Sequence, residues 1–204
     1  MDQDVVNQTP RQRIIDAARG LFDAKGFHST PVSELACVAG VSVGQIYRLF
    51  PGKDDVILAI VEDDTKARIA EMQEVFEAVE RNERSVYDAL KEIARTAIVK
   101  SFGGLSFEIL AEAYRNPSVA ERLATLTNYY RDGARRLATL ARPDGTVAEL
   151  DAYVEIMMAC FVGLGHRTLF TSAVDVDQAS HETACLILRA LGVADICAAT
   201  QGNK

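Results

Sequence analysis

The tightest constraint on this chain lies at residues 39–42. Val32, Leu35, Ala36 and Ala39 make a short apolar helical face that Gly40 ends, and after a single residue, Val41, Ser42 opens another helix. Ser42-Val43-Gly44-Gln45 fits a capping box, with Ser at the cap and Gln three residues on. Upstream, Thr30 is placed to cap the first of the two helices, and Pro31 stands at its first position, where a missing N–H costs nothing. Two short helices joined by a glycine turn make a helix-turn-helix unit. A helix over about residues 11–25 precedes it, with Ile14, Ile15, Ala18, Leu21 and Phe22 on one face and Gly26 as its stop. A further helix opens at Lys53, with Asp54 and Asp55 favoured in its first turn by the helix dipole.

The second helix of the unit is short, polar at its start and carries Gln45, Tyr47 and Arg48. Small residues allow close approach, and hydrogen-bonding tips reach base edges and phosphates. Charge limits the size of such a surface. The 204-residue chain carries a net charge of −7, yet residues 1–55 hold six Lys/Arg against seven Asp/Glu, so a nucleic-acid surface is local and falls in the first quarter. Arg11 and Arg13 are candidates for an arm toward phosphate or the minor groove.

The remainder predicts helices throughout: about 53–81, 85–102, 105–115, 117–141, 148–170 and 176–191, broken at Gly103-Gly104, Asn116-Pro117 and Arg142-Pro143-Asp144-Gly145. No strand alternation interrupts them, so the fold class is all-α, with about nine helices. The domain plan is a tail over 1–10, a DNA-binding domain over 11–55 and a regulatory and dimerisation domain over 56–204. A hydrophobic content of 49% supports a packed core. The longest apolar run, Ile156 to Gly165, falls well short of the ~20 residues of a membrane span. The acidic start Met1-Asp2-Gln3-Asp4 is not a secretory signal, so a cytoplasmic location, reduced thiols and no membrane partner are expected. Cys37, Cys160 and Cys185 read as small core residues. His181 and Cys185 share a helix face, but no second pair completes a metal site. With three His, no glycine-rich phosphate loop and no nucleophile elbow, neither an enzyme nor a cofactor is expected.

Phe27-His28-Ser29-Thr30-Pro31-Val32-Ser33-Glu34-Leu35-Ala36, followed by residues Ala39 to Lys53, resembles the DNA-binding domain of the TetR family of bacterial transcriptional regulators. The likeness covers about residues 11–60. It includes Gly26-Phe27, the Ala39-Gly40-Val41-Ser42 turn, Tyr47 with Phe50, and Lys53. The resemblance implies that Ser42, Val43, Gln45, Tyr47 and Arg48 face DNA, that Tyr47 and Lys53 hold phosphates, and that Thr30 contacts the DNA backbone. Three positions depart from the commoner pattern. Gln45 stands for a small hydroxyl and opens a base contact to adenine, Leu49 stands for His or Tyr and removes a phosphate contact, and Gly52 stands for a Ser cap.

A homodimer joined by a four-helix bundle of the eighth and ninth helices of both subunits is expected, which suits a palindromic operator, and the resemblance implies a small hydrophobic or aromatic effector that releases a repressor. A regulator without a small-molecule ligand is the alternative. The eighth helix, too apolar over Met157 to Leu164 to face water, and the ninth, with its stripe of Ala179, Thr183, Leu186, Ile187 and Ala190, are the candidate dimer elements, and Gly163 and Gly165 permit close approach. Candidate effector-pocket residues, chosen for aromatic or soft apolar character near helix breaks and the bundle centre, are Phe102, Phe107, Tyr114, Tyr129, Tyr130, Met158 and Phe161. Glu108 and Glu112, one turn apart, read as solvated surface.

Overall fold

The computed structural model describes residues 8–100, 104–167 and 173–193. Over these the chain forms nine α-helices: α1 (Pro10–Lys25), α2 (Val32–Ala39), α3 (Val43–Leu49), α4 (Lys53–Glu80), α5 (Val86–Val99), α6 (Gly104–Ala113), α7 (Pro117–Ala141), α8 (Val147–Gly165) and α9 (Val176–Ala190). The helices come in the expected order, with ends shifted by a few residues. Thr9 already caps α1, its hydroxyl accepting the Gln12 N–H at 3.2 Å, so the helix begins within the expected tail. No helix among the described residues is long and apolar enough to cross a membrane.

Two compact units divide the chain, one of Met1–Ala67 and Gly103–Thr125, the other of Arg68–Phe102 and Leu126–Lys204. The first unit extends past the expected boundary at residue 55 because its core does. Ile14, Ile15, Ala18 and Phe22 of α1 are buried with Leu35, Ile46 and Phe50, and the same core takes Ile57 and Ile60 of α4, Ile109 of α6 and Val119 of α7. The Phe22 and Phe27 rings meet edge to face at 5.1 Å. Gly40 ends α2 in the left-handed region at φ 62°, and its N–H caps the carbonyls of Ala36 and Cys37. That backbone needs glycine, and it turns the chain into α3 within two residues.

In the second unit, Met72, Val75, Phe76 and Val79 of α4 are buried with Leu90 of α5, Leu137 of α7, Val154 and Met157 of α8, and Ala184 and Leu188 of α9. The α8 start carries a complete capping box, in which Thr146 Oγ1 accepts from the Glu149 N–H and Glu149 accepts from the Thr146 N–H. Arg131 pairs with Glu155 and Arg135 with Asp151, a ladder between antiparallel α7 and α8. The Tyr87 hydroxyl meets His181 Nδ1 at 2.7 Å, joining α5 to α9.

The cysteines depart from expectation. Cys37 is exposed on α2, Cys160 is half-buried, and both are free thiols. Cys185 is fully buried, as expected, but it is disulfide-bonded rather than reduced.

Candidate nucleic-acid interface and apolar cavity

Helix α3 is presented by its neighbours. Ile46 and Phe50, four residues apart, are buried, which turns the opposite face outward. That face consists of Val43, Gly44, Tyr47, Arg48 and Leu49. Tyr47 is 53% exposed. A Cβ on Gly44 would meet nothing closer than Ser42 Oγ at 4.0 Å, so the surface beside Tyr47 and Arg48 is flat and open. Ser42 is the N-cap, its hydroxyl accepting the Gln45 N–H at 3.1 Å. Only that half of the expected capping box forms. Among the described residues the Gln45 side-chain amide makes no hydrogen bond, so its donor and acceptor remain for a partner.

Asp55 supplies the reciprocal half of a capping box, accepting the Gly52 N–H at 2.8 Å. Arg13 is tied to the Gly40 carbonyl at 3.3 Å, and the Arg11 guanidinium stacks 5.5 Å above the Phe50 ring. Neither forms a free arm.

Two residues expected at DNA make contacts within the protein. Thr30 is 1% exposed, and its hydroxyl donates to the Gly26 carbonyl at 2.9 Å. It neither caps α2, where Pro31 is the N-cap, nor reaches a surface. Lys53 Nζ directs its donors at the carbonyls of Phe27, His28 and Thr30, at 2.6, 3.4 and 3.2 Å, and lies 4.5 Å from the Phe27 ring centre. Burial pulls its pKa below the ordinary lysine value, partly opposed by Asp54 and Glu112. Its three N–H groups thus point at the loop that leads into α2.

The acids of α6 are also structural. Glu108 Oε2 accepts the Phe27 N–H at 2.8 Å, and Asp23 accepts the Leu105 N–H at 2.8 Å. Glu112 is buried, 3.4 Å from His28 Nε2. The spacing of Glu108 and Glu112 correctly put them on one face; that the face turns inward needs the position of α6, which the sequence does not carry.

A separate cavity of about 80 Å³ lies wholly within the second unit. Of the expected pocket residues, Tyr130, Met158 and Phe161 line it. Tyr129 does not: one position round the helix from Tyr130, it donates its hydroxyl to the Ile69 carbonyl at 3.2 Å. Phe107 and Tyr114 belong to the first unit and are exposed, Tyr114 by 94%. Phe102 lies outside the described residues. The rest of the lining comes from residues not singled out beforehand: Arg68, Glu71, Met72 and Phe76 on α4, Ile93, Thr96 and Ala97 on α5, Ala134 and Leu137 on α7, and Met157 and Val162 on α8. Their shared helix faces are visible in the apolar spacing, but which faces leave a gap depends on side-chain volumes in three dimensions.

Residues 14–60 match the family described as bacterial regulatory proteins, tetR family. The chain is 33% identical over 118 residues to the HTH-type transcriptional regulator UidR of Escherichia coli strain K12, covering 57% of this chain and 58% of that protein. The chain thus spans little more than half the length of the curated relative it matches. Salmonella enterica GusR has the same fold, with a TM-score of 0.65 at 23% identity over 91% of this chain and 95% of that one. So does the transcriptional regulator FadR from Bacillus subtilis in complex with stearoyl-CoA, with a TM-score of 0.65 at 16% identity over 88% of this chain and 98% of that one.

Proposed function

We propose that this chain, whose residues 14–60 match the family of bacterial regulatory proteins, tetR family, is a sequence-specific repressor released from its operator by a small molecule. The observation that carries the DNA-binding part is the outward face of α3. Val43, Gly44, Tyr47 and Arg48 are exposed while Ile46 and Phe50 hold the helix down, and the Gln45 amide is uncommitted. Gln45 reads a base edge, with adenine N6 and N7 as the matching pair, and Val43 meets a thymine methyl. Arg48 and the Tyr47 hydroxyl contact phosphate. Ser42 fixes the start of the helix. Lys53 and Thr30 act indirectly, by holding the 27–30 loop from which α2 and α3 follow.

The chain works as a homodimer through α8 and α9. Ile156 and Val162 on α8 and Leu186 on α9 are exposed large apolar side chains. Gly163 has open space where a Cβ would be. A second copy covers this face and supplies the two-fold symmetry of a palindromic site. The cavity of the second unit receives the effector. It is mostly apolar with a few polar groups, the usual composition of a small-molecule site. FadR, of the same fold, is found with stearoyl-CoA, which supports control by a bound small molecule.

A gel shift of the DNA upstream of the protein's own gene tests the first part. Retardation that survives excess unrelated DNA is expected. Equal affinity for unrelated DNA contradicts specific binding.

A further inference from the structure

Glu112 of α6 is 6% exposed, and among the described residues no hydrogen bond reaches its Oε2. A buried carboxylate oxygen without a donor is costly. Three basic side chains border it. His28 Nε2 lies 3.4 Å away, Arg115 Nη1 lies 3.9 Å away, and Lys53 feels the Glu112 charge. None of them donates to it. Lys53 directs its N–H groups at the loop carbonyls. Arg115, just past α6, places Nη1 3.3 Å from the same His28 Nε2. A guanidinium only donates, so that contact needs an Nε2 without hydrogen. A second proton on the imidazole turns Nε2 into a donor, which ends the contact with Arg115 and suits Glu112. The ring has room for the change, because the His28 side chain is 65% exposed and rests edge to face on Phe27 at 5.0 Å. The other charged groups around this loop are committed. Glu108 accepts the Phe27 N–H, Asp23 accepts the Leu105 N–H, Asp54 accepts from the Asn116 amide at 3.4 Å, and Lys25 pairs with Glu34.

We infer that His28 is a proton-operated latch between the 26–30 loop and α6. Unprotonated, its Nε2 accepts from Arg115. Protonated, the same nitrogen donates to the buried Glu112 carboxylate, and the exposed Arg115 side chain turns to water. The latch stands apart from the cavity of the second unit and acts on the loop that leads into α2 and α3. Its sign follows from the charge gained. Stabilisation by a cation that finds its partner in the folded state is complete below the pH at which a free imidazole titrates, and is lost as pH rises through the folded-state titration.

Two measurements on the full chain test this. Nitrogen NMR of labelled histidine, with the His28 signal identified by its loss in His28→Phe, is expected to show at pH 8 a hydrogen on Nδ1 and a bare Nε2. A hydrogen on Nε2 at pH 8 would overturn the latch, because Glu112 would then have its donor without a second proton. In thermal melts, the advantage of wild type over His28→Phe is expected to be larger at pH 5.5 than at pH 8 by about 1–2 °C, the size of a half-exposed ion pair in a chain of this length. In a Glu112→Gln background that gain should vanish. An advantage that does not grow toward acid pH, or one that grows equally with Gln at position 112, overturns the latch. The nitrogen signals and the comparison of wild type with His28→Phe decide the matter even where Glu112→Gln does not fold.

Discussion

The ring of Phe76 occupies the place where a side chain on residue 133 would begin: a Cβ built on Gly133 would stand 2.2 Å from Phe76 Cζ. Glycine there lets α4 and α7 bring a phenyl ring onto helix backbone, and the same ring forms part of the cavity wall. Gly133→Ala is expected to destabilise the protein by about 1–3 kcal/mol through overpacking, against a helix-propensity gain of about 1 kcal/mol. The displaced ring also moves toward the cavity. Adding Phe76→Leu to Gly133→Ala should recover part of the loss, because the two residues share one contact. Thermal melts of the four proteins check this. Additive changes would contradict it.

Lys53→Met tests whether that side chain holds a loop or a phosphate. The loss of hydrogen bonds from a charged donor to the carbonyls of Phe27, His28 and Thr30 should lower stability by about 1–3 kcal/mol. The salt dependence of DNA binding should keep its slope. A phosphate contact would instead reduce the slope by about one.

On α3, Gln45→Ala should change which sequences are preferred, by about 1–3 kcal/mol at one base pair if the amide reads adenine in bidentate fashion. Tyr47→Phe should weaken binding to all sequences alike. Measuring both variants on a panel of single-base operator changes separates the two effects.

The legible part of the fold was the part set by local chemistry. Gly40, Ser42 and Pro117 punctuate helices, and their effects act over one turn, so helix order could be read from them and the outward face of α3 from residues 30–53. The contacts that the sequence did not carry depend on distant partners. Thr30 looks like a cap by sequence, yet its hydroxyl finds Gly26 and its burial comes from the packing around it. Lys53 looks like a free cation until the carbonyls 23 to 26 residues upstream are brought to it. Three residues of the cavity wall were legible. Tyr130, Met158 and Phe161 carry aromatic or soft apolar character, whereas Ala97 and Ala134 line it by being small, which composition does not flag.

The start of α8 carries a pH dependence. Hydrogen bonds from the Thr146 backbone and side chain, then Arg142, hold the Glu149 carboxyl below its ordinary pKa. The contribution of a carboxylate lowered in the folded state is present above its unfolded pKa and fades as pH falls through the folded one. Glu149→Gln should therefore lower Tm at pH 7 and differ less from wild type as the pH drops below the ordinary carboxylate range. A Tm difference that stays constant down to pH 3 would contradict this.

Leu186→Asp and Ile156→Asp each put a charge into the exposed apolar face of α8 and α9. Sedimentation of the wild type should give a dimer, and either variant should shift it toward monomer with an unchanged helical signal. A wild-type monomer at micromolar concentration would contradict the assembly.

The central claim is that α3 reads a two-fold symmetric DNA sequence. Selection from a pool of random duplexes by the full chain, followed by sequencing, measures this directly. The expected result is one enriched palindrome with half-sites about 34 Å apart, or a small multiple of that, and loss of the enrichment in a protein carrying Gln45→Ala and Tyr47→Ala together. No enrichment by the wild type, or the same palindrome recovered by the double variant, would contradict it.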